Sequence, residues 1–185
     1  MGNLLVRKDV RSMGDGNPGV VNAWKLGGWA LGTLSLILEV SKSLVPVYFA
    51  TSYLDQPSGI ESQIGLALVA VAPVVGHGWS PFLRFKGGKA LAATWGSWIA
   101  ITGGGAFPIG CILLGSIHAF QKNHAITVTL CVALFLVVFL PLQMQPFIAL
   151  FWVANMIIII WKHRAEYSDG IVLRKWVLTT MGAMH

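Results

Sequence analysis

Long apolar stretches, separated by short polar breaks, constrain this chain of 185 residues more than any other feature. Six of them cover residues 28–53, 63–79, 90–102, 106–120, 125–143 and 147–161. About 20 apolar residues in an α-helix cross the hydrocarbon core of a bilayer, and the third stretch falls furthest short of that. Charged residues make up 11% of the chain, whereas soluble proteins carry about 25%. The sequence therefore predicts an all-α polytopic membrane bundle of about six transmembrane helices.

The length suits one compact bundle, so we expect residues 1–185 to form a single integral membrane domain. Residues 1–27 would form a polar loop before the first span, residues 28–161 the bundle, and residues 162–185 a polar tail. Residues 171–178 of the tail are expected to lie on the membrane as a short amphipathic helix. Cys111 and Cys131 lie in apolar stretches without metal-ligand or disulfide spacing, which predicts packing roles and no metal site.

Lys and Arg alternate between the loops, as membrane topology would place them. They occur in residues 1–27, 84–89, around 122 and 162–175, and are absent from residues 54–62, 103–105 and 144–146. Because cytoplasmic loops carry an excess of Lys and Arg, this pattern predicts a multi-pass protein of the cell membrane with both termini in the cytoplasm. The net charge of +6 then reflects topology, and we expect no nucleic acid partner.

The stretch GHGWSPFLRFKGGKALAAT, residues 76–94, places cations and a glycine pair between two apolar segments. Gly87 and Gly88 allow backbone N–H groups to approach an anion closely, and the flanking cations neutralise it. These cations are Arg84, Lys86 and Lys89. The stretch thus predicts a phosphate site at the membrane–water boundary. The alternative is a basic loop that only sets topology.

Two further polar clusters are expected on the same side of the membrane. In residues 9–25 the pattern Gly14-x-Gly16-x-x-Gly19 matches a dinucleotide fingerprint, but no strand precedes it and Pro18 interrupts it. We interpret it as a glycine loop with polar side chains, or simply as a turn leading into a helix. The third cluster is WKHRAE, residues 161–166, for which a basic stop-transfer patch is the alternative. Together the three clusters predict anion-binding groups around one entrance.

These motifs resemble the membrane-bound glycerol-3-phosphate acyltransferases that use acyl phosphate, the PlsY family. The resemblance rests on DVRSMGDGNPGVVN, on FKGGK behind a Gly-His pair, and on His-Arg after the last span, from about residue 7 to about residue 166. It implies acyl transfer from acyl phosphate to the 1-hydroxyl of glycerol 3-phosphate, giving lysophosphatidic acid and phosphate. It implies no nucleotide, coenzyme A, carrier protein, metal or other cofactor, and we expect a monomer in the lipid bilayer.

The candidate residues of the predicted site fall into two sets, one catalytic and one that binds substrate and phosphate. The catalytic candidates are Lys89, His77 and Asp15. We expect His77 to orient by hydrogen bonding, because the departing phosphate can take the hydroxyl proton; direct proton transfer by His77 is the alternative. The substrate- and phosphate-binding candidates are Gly14, Gly16, Asn17, Asn22, Lys25, Arg84, Lys86, Gly87, Gly88, His163 and Arg164.

Several positions depart from the family pattern. Asp15 stands where the family has serine, Lys25 where it has arginine, Ala90 where it has glycine, and Glu166 where it has asparagine. The sequence begins where the family's first span would end, which predicts six spans in place of the family's seven. Two alternatives follow. The first is a paralogue that binds a phospholipid or phosphorylated metabolite without catalysis. The second is a small transporter, which is favoured by Glu39 and Lys42, two ionisable residues inside the first span.

Overall fold

A computed structural model describes residues 8–53, 59–180 and 182 of the chain. We number its α-helices in chain order. They are α1 (Val20–Tyr53), α2 (Ile60–Gly78), α3 (Leu91–Ile101), α4 (Ala106–Phe120), α5 (His124–Gln143), α6 (Pro146–His163) and α7 (Lys175–Thr180). Short 3₁₀ turns occupy Val10–Ser12, Pro81–Leu83 and Arg164–Asp169.

Four of these helices, α1, α2, α5 and α6, are long and apolar enough to cross a membrane. The other two apolar helices are shorter, with 11 residues in α3 and 15 in α4. At a rise of about 1.5 Å per residue, α3 extends only about 16 Å, roughly half the hydrocarbon thickness. The predicted all-α membrane bundle is confirmed, and each of the six apolar stretches contains a helix.

Helix α1 differs from the predicted first span because it begins earlier, at Val20, inside the segment predicted as a loop. Gly27 and Gly28 interrupt it with non-helical backbone, and Gly28 has φ of +65°. That backbone region is open to glycine at little cost, so the Gly-Gly pair produces a kink. The first turns of α1 thus form a separate short arm, which carries Asn22 and Lys25.

The centre of the bundle is built around Trp98 of α3, which is fully buried. Its ring packs against Phe135 of α5 and Phe151 of α6, with centroids 5.1 and 5.2 Å away. The indole Nε1 donates to Asn155 Oδ1 at 3.1 Å, and Asn155 Nδ2 donates to Thr94 Oγ1 at 2.9 Å. Since buried polar groups are costly when unpaired, these bonds let α3 and α6 pack closely inside an apolar bundle.

Small residues allow α1 and α3 to approach closely. A Cβ on Gly96 would overlap the backbone carbonyl of Val40 in α1. At the same contact, Ser43 and Ser97 share a hydrogen bond of 2.9 Å between their hydroxyls, and Ser97 also donates to the Ala70 carbonyl of α2. This pattern of glycine and serine at helix contacts is typical of membrane bundles. It fixes α1, α2 and α3 relative to one another.

The turn between α3 and α4 returns the chain to the end of the bundle where α3 begins. Thr102 Oγ1 donates to the Trp98 carbonyl and accepts from the Ala106 N–H, which joins the two short helices. Gly103 and Gly104 have φ of +58° and +95°, values that suit glycine. The start of α3 and the end of α4 therefore lie on the same side, as do the start of α5 and the end of α6.

Candidate active site

A cavity of about 740 Å³ lies at that end of the bundle, between α1, α3, α4 and the end of α6. Part of its wall is polar and comes from the loops and helix ends: Gly14, Asp15, Asn17, Asn22, Lys25, His77, Lys89, His124, His163 and Glu166. The other part is apolar and comes from helix faces, among them Trp24, Leu36, Val40, Leu91, Trp95, Ile99 and Phe107. A cavity with two such halves can hold an amphipathic ligand.

Lys89 connects all three of the predicted clusters. Its ammonium donates to Asp15 Oδ2 at 2.8 Å, and it lies 2.6 Å from Glu166 Oε1. Asp15 belongs to the amino-terminal loop and Glu166 to the 3₁₀ turn that follows α6. The structure thus brings the segments around residues 15, 89 and 166 to one place, and one ammonium group holds two carboxylates there.

The amino-terminal loop is held by hydrogen bonds to Asp15 and Asn17. Asn22 Nδ2 donates to Asp15 Oδ1 and to the Asn17 carbonyl, both at 2.8 Å. Gly14 and Gly16 have positive φ, and a Cβ on Gly14 would overlap the Asn22 amide and approach the Lys25 ammonium. The two glycines therefore allow the loop to fold back onto the first turns of α1.

Charge pairing also determines the protonation of these loop residues. The hydrogen bond from Lys89 lowers the pKa of the Asp15 carboxyl to about 2, and the bonds from Asn22 and Asn17 act in the same direction. Burial by itself lowers the pKa of Lys89, but the hydrogen bonds to Asp15 and Glu166 outweigh that effect and raise it. Asp15 and Lys89 are therefore both charged at neutral pH.

His77 on α2 lies directly against the glycine pair Gly87 and Gly88. Its Nδ1 lies 2.6 Å from both Glu39 Oε2 and Lys42 Nζ, and Glu39 and Lys42 also pair with each other on α1. A Cβ on Gly88 would overlap His77 Nε2, and one on Gly87 would overlap the His77 carbonyl. Glycine is required at both positions because the loop backbone lies directly on α2. This cluster gives Glu39 and Lys42 a structural role, so they no longer favour a transporter.

His163 is fully buried at the end of α6. Its Nδ1 lies 3.3 Å from Glu166 Oε2, and its ring packs edge-to-face on His124 with centroids 5.9 Å apart. His163 Nε2 and Asn17 Oδ1 are buried without a hydrogen-bond partner among the described residues. Both residues line the cavity. Buried polar atoms are rarely left unpaired, so these two are candidate ligand contacts.

The remaining predicted cations do not line this cavity. Arg84 and Lys86 are exposed, and Arg84 and Phe85 adopt left-handed backbone angles that turn the loop outward. Arg164 donates to the Trp161 carbonyl and lies 4.7 Å over the Trp161 ring. Of the basic candidates, Lys25, His77, Lys89 and His163 share the cavity, whereas Arg84, Lys86 and Arg164 lie outside it.

Sequence reasoning left several cavity residues out of the predicted site. Glu166 was noted only as a substitution, yet it contacts both Lys89 and His163. His124 begins α5, and its neighbour Asn123 donates to the Glu166 carbonyl at 2.8 Å. Asn123 caps α5 through Ile126 N–H, so the polar residues before the fifth span were the available signal.

Comparison with known proteins gives one consistent result. The sequence model of the family described as glycerol-3-phosphate acyltransferase matches residues 1–171. The chain is similar to glycerol-3-phosphate acyltransferase 1 of Thermotoga maritima, with 32% identity over 178 residues, covering 88% of this chain and 86% of that protein. It is also similar to the glycerol-3-phosphate acyltransferase of Neisseria meningitidis, with 31% identity over 163 residues, covering 87% and 79%.

The fold is that of a solved membrane protein. The crystal structure of PlsY, an integral membrane glycerol 3-phosphate acyltransferase in its glycerol 3-phosphate form, superposes with a TM-score of 0.76. The match covers 90% of this chain and 82% of that one, at 22% sequence identity. Its lysophosphatidic acid form superposes with a TM-score of 0.72 at 21% identity, covering 83% and 76%. The helical arrangement is therefore shared, although few residues are identical.

Proposed function

This chain belongs to the glycerol-3-phosphate acyltransferase family, and we propose that it transfers an acyl group from acyl phosphate to the 1-hydroxyl of glycerol 3-phosphate. The products are lysophosphatidic acid and inorganic phosphate. Acyl transfer to glycerol 3-phosphate agrees with the names of its relatives in Thermotoga maritima and Neisseria meningitidis. Acyl phosphate as the donor is the more specific part of the proposal.

One observation carries the proposal: a polar mouth, which contains the ammonium groups of Lys25 and Lys89, and an apolar slot share one cavity. An acyl phosphate has an anionic head and a hydrocarbon tail, and glycerol 3-phosphate is small and anionic. Leu91, Trp95 and Ile99 follow one another at helical spacing on α3 and line the apolar half. They extend about 12 Å along the helix, which accommodates much of a fatty acyl chain.

The apolar slot also opens sideways. Phe107 on α4 is 57% exposed and Leu36 on α1 is 36% exposed, and both line the cavity. In a membrane protein, side chains exposed at this depth face lipid. The donor can therefore enter from the bilayer with its tail in the slot, while glycerol 3-phosphate enters the mouth from water.

Phosphate binding requires Lys89 to exchange partners. Its ammonium contacts Asp15 and Glu166 in the ligand-free site, and a substrate phosphate would replace at least one of these carboxylates. Lys25 supplies a second cation to the mouth and makes no ion pair with any other described residue. These two lysines would offset the charge that develops on the leaving phosphate.

The chemical step needs little acid catalysis, because phosphate is already a good leaving group. The hydroxyl oxygen of glycerol 3-phosphate attacks the acyl carbon, and the bond from that carbon to the phosphate oxygen breaks. The electron pair leaves with the phosphate, which also takes the hydroxyl proton. Because the phosphate takes that proton, no protein base is required, and His77 would instead orient the glycine loop, since its ring lies against Gly88.

The mouth would face the cytoplasm, where glycerol 3-phosphate is available. The excess of Lys and Arg in the loops on that side supports this orientation in the cell membrane. One chain supplies both halves of the cavity, so the proposed reaction requires no second copy, and we propose that the protein acts as a monomer.

The test is an assay of the purified protein with acyl phosphate and glycerol 3-phosphate, measuring phosphate release. Lys89→Ala should lower kcat/KM roughly 10²- to 10³-fold, the usual loss when one charge-stabilising donor is removed. Lys8→Ala is the matched control, because Lys8 is exposed and lies outside the cavity. It should leave the rate unchanged.

Two results would contradict the proposal. Wild-type protein that binds glycerol 3-phosphate but releases no phosphate would favour the non-catalytic paralogue. Activity with a different acyl donor, and none with acyl phosphate, would keep the acyltransferase and reject its proposed donor.

A further inference from the structure

The last described segment of the chain lies against the end of α4, and we call residues 171–180 the C-terminal strap. Lys122 N–H donates to the Val172 carbonyl at 2.8 Å, and Arg174 N–H donates to the Phe120 carbonyl at 2.9 Å. Residues 171–174 therefore run extended beside residues 120–122, before the short helix α7 begins. Asn123 holds the start of the strap through the Gly170 carbonyl.

The strap caps α4. The last carbonyls of a helix have no partner within it, and at a membrane edge they need one. Arg174 Nε donates to the His118 carbonyl at 2.7 Å, and Trp176 Nε1 donates to the Ala119 carbonyl at 2.9 Å. With the bond to Phe120 described above, three consecutive carbonyls at the end of α4 are satisfied by the strap.

The outer face of the strap is apolar and exposed. Ile171 is 70% exposed and Trp176 is 50% exposed. The Trp176 ring packs at a tilt against Phe120, itself 53% exposed, with ring centroids 5.2 Å apart. The strap lies level with residue 122, just before α5, which is long enough to span the membrane. Aromatic side chains at that level are typical of the membrane–water interface.

Cations border this apolar face. Lys122, Arg174 and Lys175 lie on or beside the strap, and Lys122 and Lys175 are exposed without an ion pair to any described residue. The nearby Glu166 carboxylate is occupied by Lys89 and His163. Asp169 is the carboxylate nearest to the strap in sequence. Positive charge therefore prevails around an exposed aromatic surface.

We propose that the C-terminal strap is a binding surface for anionic phospholipid headgroups, with Trp176 and Ile171 inserted at the interface and Lys122 and Lys175 contacting phosphate. Charge complementarity selects anionic over zwitterionic lipid, because each lysine near an anionic surface strengthens attraction roughly fivefold. Bound lipid would hold the strap on α4, whose residue Phe107 forms part of the cavity wall.

The experiment measures Trp176 fluorescence in the full-length protein reconstituted into lipid nanodiscs. The emission of Trp176 is obtained by subtracting the spectrum of Trp176→Phe from the wild-type spectrum. Lipids that carry a nitroxide on the headgroup quench this emission. Labelled phosphatidylglycerol should quench Trp176 several-fold more effectively than labelled phosphatidylcholine. Lys122→Gln/Lys175→Gln should abolish that preference, and raised salt should weaken it.

The matched control is Lys122→Arg/Lys175→Arg, which keeps both charges and should keep the preference. Equal quenching by the two lipids in wild type would overturn the proposal. So would a preference that survives Lys122→Gln/Lys175→Gln unchanged. The measurement involves no acyl transfer, so its outcome is independent of the proposed reaction.

Discussion

The centre of the bundle and the mouth of the cavity handle buried polar groups in opposite ways. At the centre, Trp98 and Asn155 are fully buried, and the Trp98 Nε1 and both ends of the Asn155 amide have partners. At the mouth, His163 Nε2 and Asn17 Oδ1 are buried without a partner among the described residues. The centre is complete as a packed structure, whereas the mouth keeps binding capacity for a ligand.

The two regions also differ in how they are held together. Aromatic and small side chains pack α3 against α1, α5 and α6 at the centre. At the mouth, one ammonium group joins two carboxylates from distant segments, and glycines let the backbone lie on His77. Stability should therefore depend on the centre and activity on the mouth, and the following experiments test that division.

Trp98→Ala should have the largest effect, on stability. Loss of a buried aromatic side chain costs about 3–5 kcal/mol, because its packing contacts are lost and a cavity remains. The midpoint of thermal unfolding in detergent should fall clearly. Trp29→Ala is the matched control, since Trp29 is 80% exposed and should be replaced with little loss. Equal destabilisation by the two changes would erase the distinction between centre and surface.

Gly88→Ala should separate activity from stability at the mouth. The added Cβ would overlap His77 Nε2 and displace Lys89, and a shift of about 1 Å in an active-site group can cost roughly 10²-fold in rate. We expect that loss in kcat/KM for phosphate release. Gly76→Ala is the control, because no atom lies within 4 Å of the Cβ it would add. Full activity in Gly88→Ala would show that the close contact has no role.

Glu166→Gln should improve binding of glycerol 3-phosphate. The change removes one carboxylate that competes with substrate phosphate for Lys89. Because the pair is partly exposed, its effect is about 1 kcal/mol or less, so KM should fall at most about fivefold. Asp169→Asn removes an exposed carboxylate outside the cavity and should leave KM unchanged. A higher KM in Glu166→Gln would mean that Glu166 contributes to binding.

The smallest effect concerns the pH dependence of the Asp15–Lys89 pair. The folded pKa of Asp15 is lowered from 3.8 to about 2, so its stabilising contribution is present above pH 3.8 and lost as the pH falls through 2. The difference in unfolding free energy between wild type and Asp15→Asn should stay constant from about pH 5 to about pH 8. It should shrink on acidification below that range. Chemical unfolding in detergent at several pH values measures it, and a difference that grows on acidification would contradict the assigned shift.

The helices could be predicted from hydropathy because apolar length alone determines where a chain can span a bilayer. The start of α1 could not, since Val20 and the next turns precede a Gly-Gly pair that looks like a loop in sequence. The length of α3 could not be predicted either, because a short helix packed inside a bundle does not have to cross the whole membrane and needs no polar cap.

The site was predictable in outline and not in detail. Glycines and lysines at one membrane edge indicated a phosphate site, and Lys89 does lie in the shared cavity. Sequence order could not show that Arg84 and Lys86 face outward, because that depends on left-handed backbone at Arg84 and Phe85. Nor could it show that Glu166 would reach Lys89, since that contact joins segments 77 residues apart (166 − 89).

The sideways opening of the cavity has a kinetic consequence. A donor that arrives through the gap between α1 and α4 diffuses laterally within the bilayer, so its mole fraction among the lipids determines how often the slot is filled. The water-soluble acceptor arrives from the aqueous phase, so its concentration in the buffer determines how often it binds. Diluting the vesicles with inert lipid, at constant total amounts of protein, donor and acceptor, should therefore slow turnover, whereas adding buffer to the same vesicles should affect only the acceptor.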